Sequence, residues 1–131
     1  MNDQPKYASD AAAPSAVQAY TRAPALAHEL YDLLHCVAAL HRPSGQDQDE
    51  RILLVRQAAL ADRCRLADTS SDDDGAGWLA WRLHTFDKSF DTSRGPIPAS
   101  DERWDRDRFG YVRQEYHWWI THNPGAAVTA R

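Results

Sequence analysis

The stretch DERWDRDRFGYVRQEYHWWITH, residues 101–122, decides the fold that this sequence predicts. Ser100 precedes it as a typical N-cap, and acidic side chains fill its first turn. The run Asn123, Pro124, Gly125 then stops it. We therefore predict one continuous helix over residues 101–122, about 33 Å long at a rise of roughly 1.5 Å per residue.

This helix carries apolar side chains on two faces. One broad face takes Phe109, Val112, Tyr116, Trp119 and Ile120, and a neighbouring face takes Trp104, Tyr111 and Trp118 at seven-residue spacing. Arg108 runs between the two faces. A helix with two apolar faces either lies at the centre of the fold, with its tryptophans in the core, or offers its second face to something outside the fold.

Upstream, apolar spacing of three and four residues predicts three more amphipathic helices, over residues 24–41, 48–68 and 76–90. In the helix predicted over residues 24–41, one apolar stripe is expected to face the core. It comprises Leu26, Leu30, Leu33, Leu34, Val37 and Leu40. The third helix carries a second stripe with Trp78 and Trp81. No segment alternates like a strand, so the sequence predicts an all-α fold, a small bundle of four main amphipathic helices. Residues 15–123 are predicted to form a single helical domain, flanked by disordered tails at 1–14 and 124–131.

Composition limits the classes of function. The chain has 131 residues, enough for one hydrophobic core, and its net charge of −4 argues against nucleic-acid binding, which needs a basic face. No run approaches the roughly 20 apolar residues of a membrane span, and the N-terminus lacks the pattern of a signal peptide, so we expect a cytoplasmic protein. Arginine far outnumbers lysine, which indicates GC-rich bacterial coding. Cys36 and Cys64 are predicted to be buried, reduced thiols.

The second aromatic stripe is the candidate functional site. Trp, Tyr and Arg dominate interface hot spots, and exposed apolar patches commonly mark contact surfaces. The hypothesis assigns partner binding to Trp78, Trp81, Trp104, Arg108, Tyr111 and Trp118. It predicts a protein partner or self-association, with a homodimer as one form. The alternatives are burial of both faces in the core and an aromatic-lined ligand pocket.

A metal site is a second hypothesis. The first long helix carries three potential ligands on one face: His28, Asp32 and His35. A fourth ligand would have to come from another helix, such as His84 with Asp87, or His117. Because the sequence lacks the matching second motif of a di-metal bundle, the preferred interpretation is a solvated face with helix-stabilising pairs. We therefore predict no metal and no other cofactor.

Residues 57–67 superficially resemble the first helix of a helix-turn-helix motif. The turn that follows is too long for such a motif, and three aspartates at 72–74 would repel phosphate, so DNA binding is disfavoured. The sequence also shows no Ser-His-Asp or Cys-His arrangement and no glycine-rich phosphate loop. We therefore predict a non-catalytic interaction or regulatory module. A metal- or ligand-binding bundle and a DNA-binding regulator are the alternatives.

Overall fold

The computed structural model describes residues 13–40, 47–68 and 73–125. This part of the chain is all-α and contains no strand, which confirms the predicted fold class. It comprises α1 (Ala16–Tyr20), α2 (Leu26–Leu40), α3 (Asp47–Ala67), α4 (Asp73–Phe90), a 3₁₀ turn (Glu102–Asp105) and α5 (Arg108–His122). Most of each predicted tail, at 1–12 and 126–131, lies outside the described residues. Ala13 and Pro14, also predicted as tail, are half-buried, and Ala13 packs against the core.

Helix α3 packs between α2 and α4 and runs antiparallel to both. Arg51, near the start of α3, pairs with Asp87 near the end of α4. Arg63, near the end of α3, donates to the carbonyl of Pro24 just before α2, at 2.8 Å. Helix α5 packs across α3 and α4, and α1 packs on α5. The helices therefore form two layers, α2–α3–α4 and α1–α5.

The prediction of one continuous helix over residues 101–122 is wrong, because the helix is interrupted before α5. Asp101 caps the short 3₁₀ turn by accepting from the Arg103 N–H. Asp107 then leaves the helical region, with φ −148° and ψ 68°, and caps α5 by accepting from the Gly110 N–H at 2.9 Å. A Cβ on Gly110 would lie 2.2 Å from the Asp107 carboxylate, so any other residue here would displace the capping side chain. Trp104 consequently does not share a helix face with Tyr111.

Helix α5 is the central helix of the fold, as the alternative interpretation of its two apolar faces predicts. Its buried residues are Gly110, Tyr111, Val112, Gln114, Glu115, Tyr116, Trp119 and Ile120. Trp104 packs its ring edge-on against Tyr111, with ring centroids 5.4 Å apart, and donates its indole N–H to the Pro98 carbonyl at 3.1 Å. The aromatic side chains around the first half of α5 are therefore core.

Helix α2 is rotated relative to the sequence prediction. Leu33 is buried as expected, but Leu30 and Leu34 are 49% and 61% exposed, and Tyr31 between them is exposed too. Glu29, in contrast, is only 1% exposed. The prediction that Leu30 and Leu34 face the core is therefore wrong, because the hydrogen bonds of the Glu29 carboxylate turn a different side of α2 inward.

Arg51 is the centre of a buried ionic network. Its guanidinium donates to both oxygens of Asp87 at 2.8 Å and to Glu115 at 2.7 Å. Asp87 also accepts from the hydroxyls of Tyr111 and Thr92. Burial alone would lower the pKa of Arg51, but the hydrogen bonds and charges of the two carboxylates raise it above its ordinary value. This network joins α3, α4 and α5 in the interior.

Glu115 also fixes the loop that follows α4. Its carboxylate accepts from the backbone N–H groups of Arg94 at 2.7 Å and Gly95 at 2.9 Å. The neighbouring Gln114 donates to the Ile97 carbonyl and accepts from the Ile97 N–H, at 2.8 and 3.2 Å. A Cβ on Gly95 would come within 2.5 Å of the Gln114 side chain, so the loop lies directly against α5.

Two further networks repeat the same chemistry of a tyrosine, a buried carboxylate and an arginine. Glu29 accepts from Tyr116 and Arg56, both at 2.7 Å. Asp62 accepts from Tyr20 at 2.6 Å and from Arg113 at 2.8 Å, and it is also paired with Arg65. Burial, and then the carboxylate that each hydroxyl faces, raise the pKa of Tyr20 and Tyr116. These phenols therefore stay protonated and donate.

We expect Arg51→Met to destabilise the fold by about 3–5 kcal/mol, because it leaves Asp87 and Glu115 buried without their shared cation. Lys88→Met is the control, since Lys88 is half-exposed and forms only a 3.7 Å surface pair with Asp105. That change should cost no more than about 1 kcal/mol. Denaturant unfolding of both variants measures the two effects. Equal losses would show that the buried network contributes no more than a surface pair.

His84 is a buried neutral base beside this network. Its Nε2 lies 2.8 Å from the Ala99 carbonyl, so the neutral ring carries its proton there, and its ring centroid lies 5.1 Å from that of Tyr111. Burial lowers the pKa of His84 from its ordinary value of 6.5, and the positive charges of Lys88 and Arg108 lower it further. The folded state therefore favours the uncharged ring.

We expect the contribution of His84 to stability to be complete above pH 6.5 and to be lost as the pH falls below it. The unfolded chain binds a proton near the ordinary pKa of 6.5, whereas the folded chain does so only at lower pH. His84→Gln removes this titration and keeps a donor for the Ala99 carbonyl. Unfolding free energies measured at pH 7.5 and 5.5 should therefore differ less in the variant than in the unchanged chain. An equal difference in both would contradict the assignment.

Candidate functional site

The six predicted partner-binding residues do not share one surface. Trp104 and Tyr111 are fully buried, so the expectation that they lie on an outer face is wrong. Trp104 belongs to the 3₁₀ turn before α5, and the Tyr111 hydroxyl donates to the buried Asp87 carboxylate. Arg108 is half-buried and reaches the Asp105 carbonyl at 3.4 Å. Trp118 is half-buried as well, near the end of α5.

Trp78 and Trp81 lie at the surface, as predicted. They are 54% and 46% exposed, and their spacing of three residues makes them neighbours on one side of α4. The guanidinium of Arg82 lies over the ring of Trp78, with its Cζ 5.4 Å from the ring centroid. This side of α4 thus combines two large aromatic rings with one cation.

The candidate metal ligands whose side chains the structure describes do not converge on one site. His28 and Asp32 form an i,i+4 pair at 3.5 Å, and the side chain of His35 lies outside the described residues. His84 is bonded to the backbone of Ala99, and Asp87 is held by Arg51. In the described part of the chain, no group of three or more His, Cys, Asp and Glu side chains is placed to hold a metal ion.

The segment 57–67 forms the second half of α3. Ala58, Ala59 and Asp62 of this segment face the interior, and residues 69–72 of the turn that follows lie outside the described residues. Cys64 is exposed, so the prediction that it is buried is wrong. Among the helices described, none has the length and apolar character needed to cross a bilayer.

A groove of about 680 Å³ lies between α1 and α5 and is bounded by the loop after α4. Its lining residues are Pro14, Gln18, Thr21, Arg22, Pro96, Gln114, His117, Trp118, Thr121 and His122. None of them belongs to α4, so Trp118 and the two exposed tryptophans of α4 serve different parts of the surface.

Trp118 and His122 form a stacked pair on the wall of this groove. Their ring centroids lie 3.9 Å apart with an interplanar angle of 17°, and the His122 Nδ1 lies 2.7 Å from the Trp118 carbonyl. The neutral His122 ring therefore carries its proton on Nδ1, which leaves Nε2 as an acceptor. The Arg94 Cζ approaches the same tryptophan, 5.9 Å from its ring centroid.

Sequence reasoning missed this groove, although a local signal for it exists. Gln18 and Arg22 are four residues apart on the first part of the chain, and so are Trp118 and His122 on α5. Such spacing places Trp118 and His122 on one side of α5, whereas Arg22 lies two residues beyond the end of α1. The spacing does not indicate that α1 and α5 face each other, which depends on Tyr20 reaching Asp62 and Tyr116 across the core.

No family model, curated protein or solved structure matches this chain.

Proposed function

We propose that this chain is a non-catalytic protein-interaction module that contacts its partner through the outward apolar side chains of α4 and α2. The observation that carries the proposal is the exposure of Trp78 and Trp81 side by side on α4. Tryptophan is costly to leave in water and is the residue most enriched in interface hot spots. Arg82 beside Trp78 supplies the cation that commonly accompanies such rings at interfaces.

Helix α2 supports the proposal independently. Leu30, Tyr31 and Leu34 follow one another at helical spacing and all face outward, while α2 buries a carboxylate instead. Because α2 turns Glu29 inward to its hydrogen-bond donors, the leucines lie outside and form an apolar stripe that a partner can contact. Three contiguous apolar side chains on one helix are the usual basis of helix-to-helix association.

The register of the helices places these two sets at the same level. Arg56 of α3 pairs with Glu29 of α2, which puts Leu30 beside the middle of α3. Arg51 pairs with Asp87 of α4, and because α3 and α4 are antiparallel, Trp81 lies beside the same part of α3. The two sets of exposed apolar side chains therefore lie at a similar height along α3, on the two helices that flank it.

The experiment compares the unchanged chain with a Trp78→Ser, Trp81→Ser double variant. Sedimentation equilibrium tests self-association first, and affinity capture from the native host with quantitative mass spectrometry then tests other proteins. We expect the double variant to weaken the dominant association by roughly 10- to 100-fold, the range for loss of a hot spot.

Phe90→Ser is the matched control, since Phe90 is an exposed aromatic at the opposite end of the same helix. It should leave the association unchanged. Both variants should keep the unfolding free energy within about 1 kcal/mol, because these side chains lie at the surface. If the folded double variant retains every association of the unchanged chain, α4 is not the contact surface and the proposal fails.

A further inference from the structure

The groove between α1 and α5 has the size and the mixed lining of a small-molecule site. Its volume of about 680 Å³ lies within the usual range of roughly 300–1,000 Å³ for such sites. We propose that it binds a small organic anion. The carboxylate or phosphate group of that anion contacts the guanidinium groups of Arg22 and Arg94, and its apolar body packs against Trp118.

The charge of the lining is the first argument. The whole chain carries a net charge of −4, yet the ten groove residues include Arg22, His117 and His122 and not one carboxylate. Glu115 lies next to the lining residue Gln114 in the sequence, but its carboxylate is turned inward to Arg51 and to two backbone N–H groups. The groove lining therefore carries a positive charge through Arg22 and no negative charge, in a protein whose net charge is negative.

The state of the two arginines is the second argument. Arg51, Arg56 and Arg113 are all held by buried carboxylates. Within the described ranges, by contrast, no ion pair involves the side chain of Arg22 or of Arg94. A guanidinium presents a planar fork of donors that matches the oxygens of a carboxylate or a phosphate. Arg22 lines the groove, and Arg94, which is not part of the lining, lies over its Trp118 wall with Cζ 5.9 Å from the ring centroid, so we infer that both cations can reach an anion bound there.

Trp118 is the third argument. It is half-buried, it lines the groove, and its orientation is fixed by stacking on His122 and by packing against the core. An aromatic wall held in place in this way favours a ligand with a flat or apolar body, because little side-chain entropy is lost on binding. Inorganic anions lack such a body and would use only half of the site.

Isothermal titration calorimetry of the full chain tests the proposal with two probes, phenyl phosphate and benzoate. Inorganic phosphate provides the charge without the ring, and benzyl alcohol provides the ring without the charge. We expect at least one of the two probes to bind at least 10-fold more tightly than both of these compounds. The better probe identifies the anionic group, and amide NMR shifts should locate it at α1 and the second half of α5.

Arg22→Gln and Arg94→Gln should each weaken the better probe by about 10-fold, the effect of losing one charge-assisted hydrogen bond. Arg82→Gln is the matched control, because Arg82 also lies over an exposed tryptophan but on α4. It should leave binding unchanged. Arg22 and Arg94 are exposed, so the test does not depend on Trp118→Ala, which removes a residue packed against the core.

Three results would overturn the proposal: neither probe binds, benzyl alcohol binds as tightly as the better probe, or Arg82→Gln weakens binding as much as Arg22→Gln. The Trp78→Ser, Trp81→Ser variant should bind the probe normally. The proposal for the groove and the proposal for the α4 surface can therefore be supported or overturned separately.

Discussion

Two carboxylates from different helices share one buried guanidinium, that of Arg51. The arrangement has consequences well beyond the pair itself. Asp87 ties α4 to α3 and, through Tyr111, to α5, while the other bonds of Glu115 hold the backbone at Arg94 and Gly95. The loop fixed in this way brings Pro96 to the groove and Arg94 to Trp118. The candidate ligand site is thus built on a contact in the core.

The buried carboxylates also explain why apolar side chains are exposed on the surface of α2. The buried carboxylates of the three clusters occupy positions at which α2, α3, α4 and α5 would otherwise place aliphatic side chains. Each cluster is satisfied, so burial is tolerated: every carboxylate faces an arginine, and each also accepts either from a tyrosine hydroxyl or, in the case of Glu115, from two backbone N–H groups. Apolar side chains displaced from the interior then remain outside. Leu30 and Leu34 are exposed on α2 for this reason, next to the inward Glu29.

The two candidate surfaces differ in chemistry. The sides of α2 and α4 that face outward are apolar and suit a partner with a complementary apolar face. The groove between α1 and α5 is concave, positively charged through Arg22 and partly aromatic, which suits a small anion. They share no lining residue, yet both depend on α5, because this helix positions the layer α2–α3–α4 on one side and α1 on the other.

The sequence by itself determined the all-α class and the order of the four long helices. Those properties follow from spacing, caps and turn residues, which act within a few residues of each other. Only the tertiary structure decided which side of α2 turns inward, why Trp104 and Tyr111 are core, and where the groove lies. These outcomes depend on partners far apart in the chain: Arg51 and Glu115 are 64 residues apart, and Glu29 and Tyr116 are 87 apart. Helical periodicity ranks side chains by polarity and therefore places Glu29 and Asp62 outside. Specific hydrogen bonds reverse that ranking once the distant donor is present.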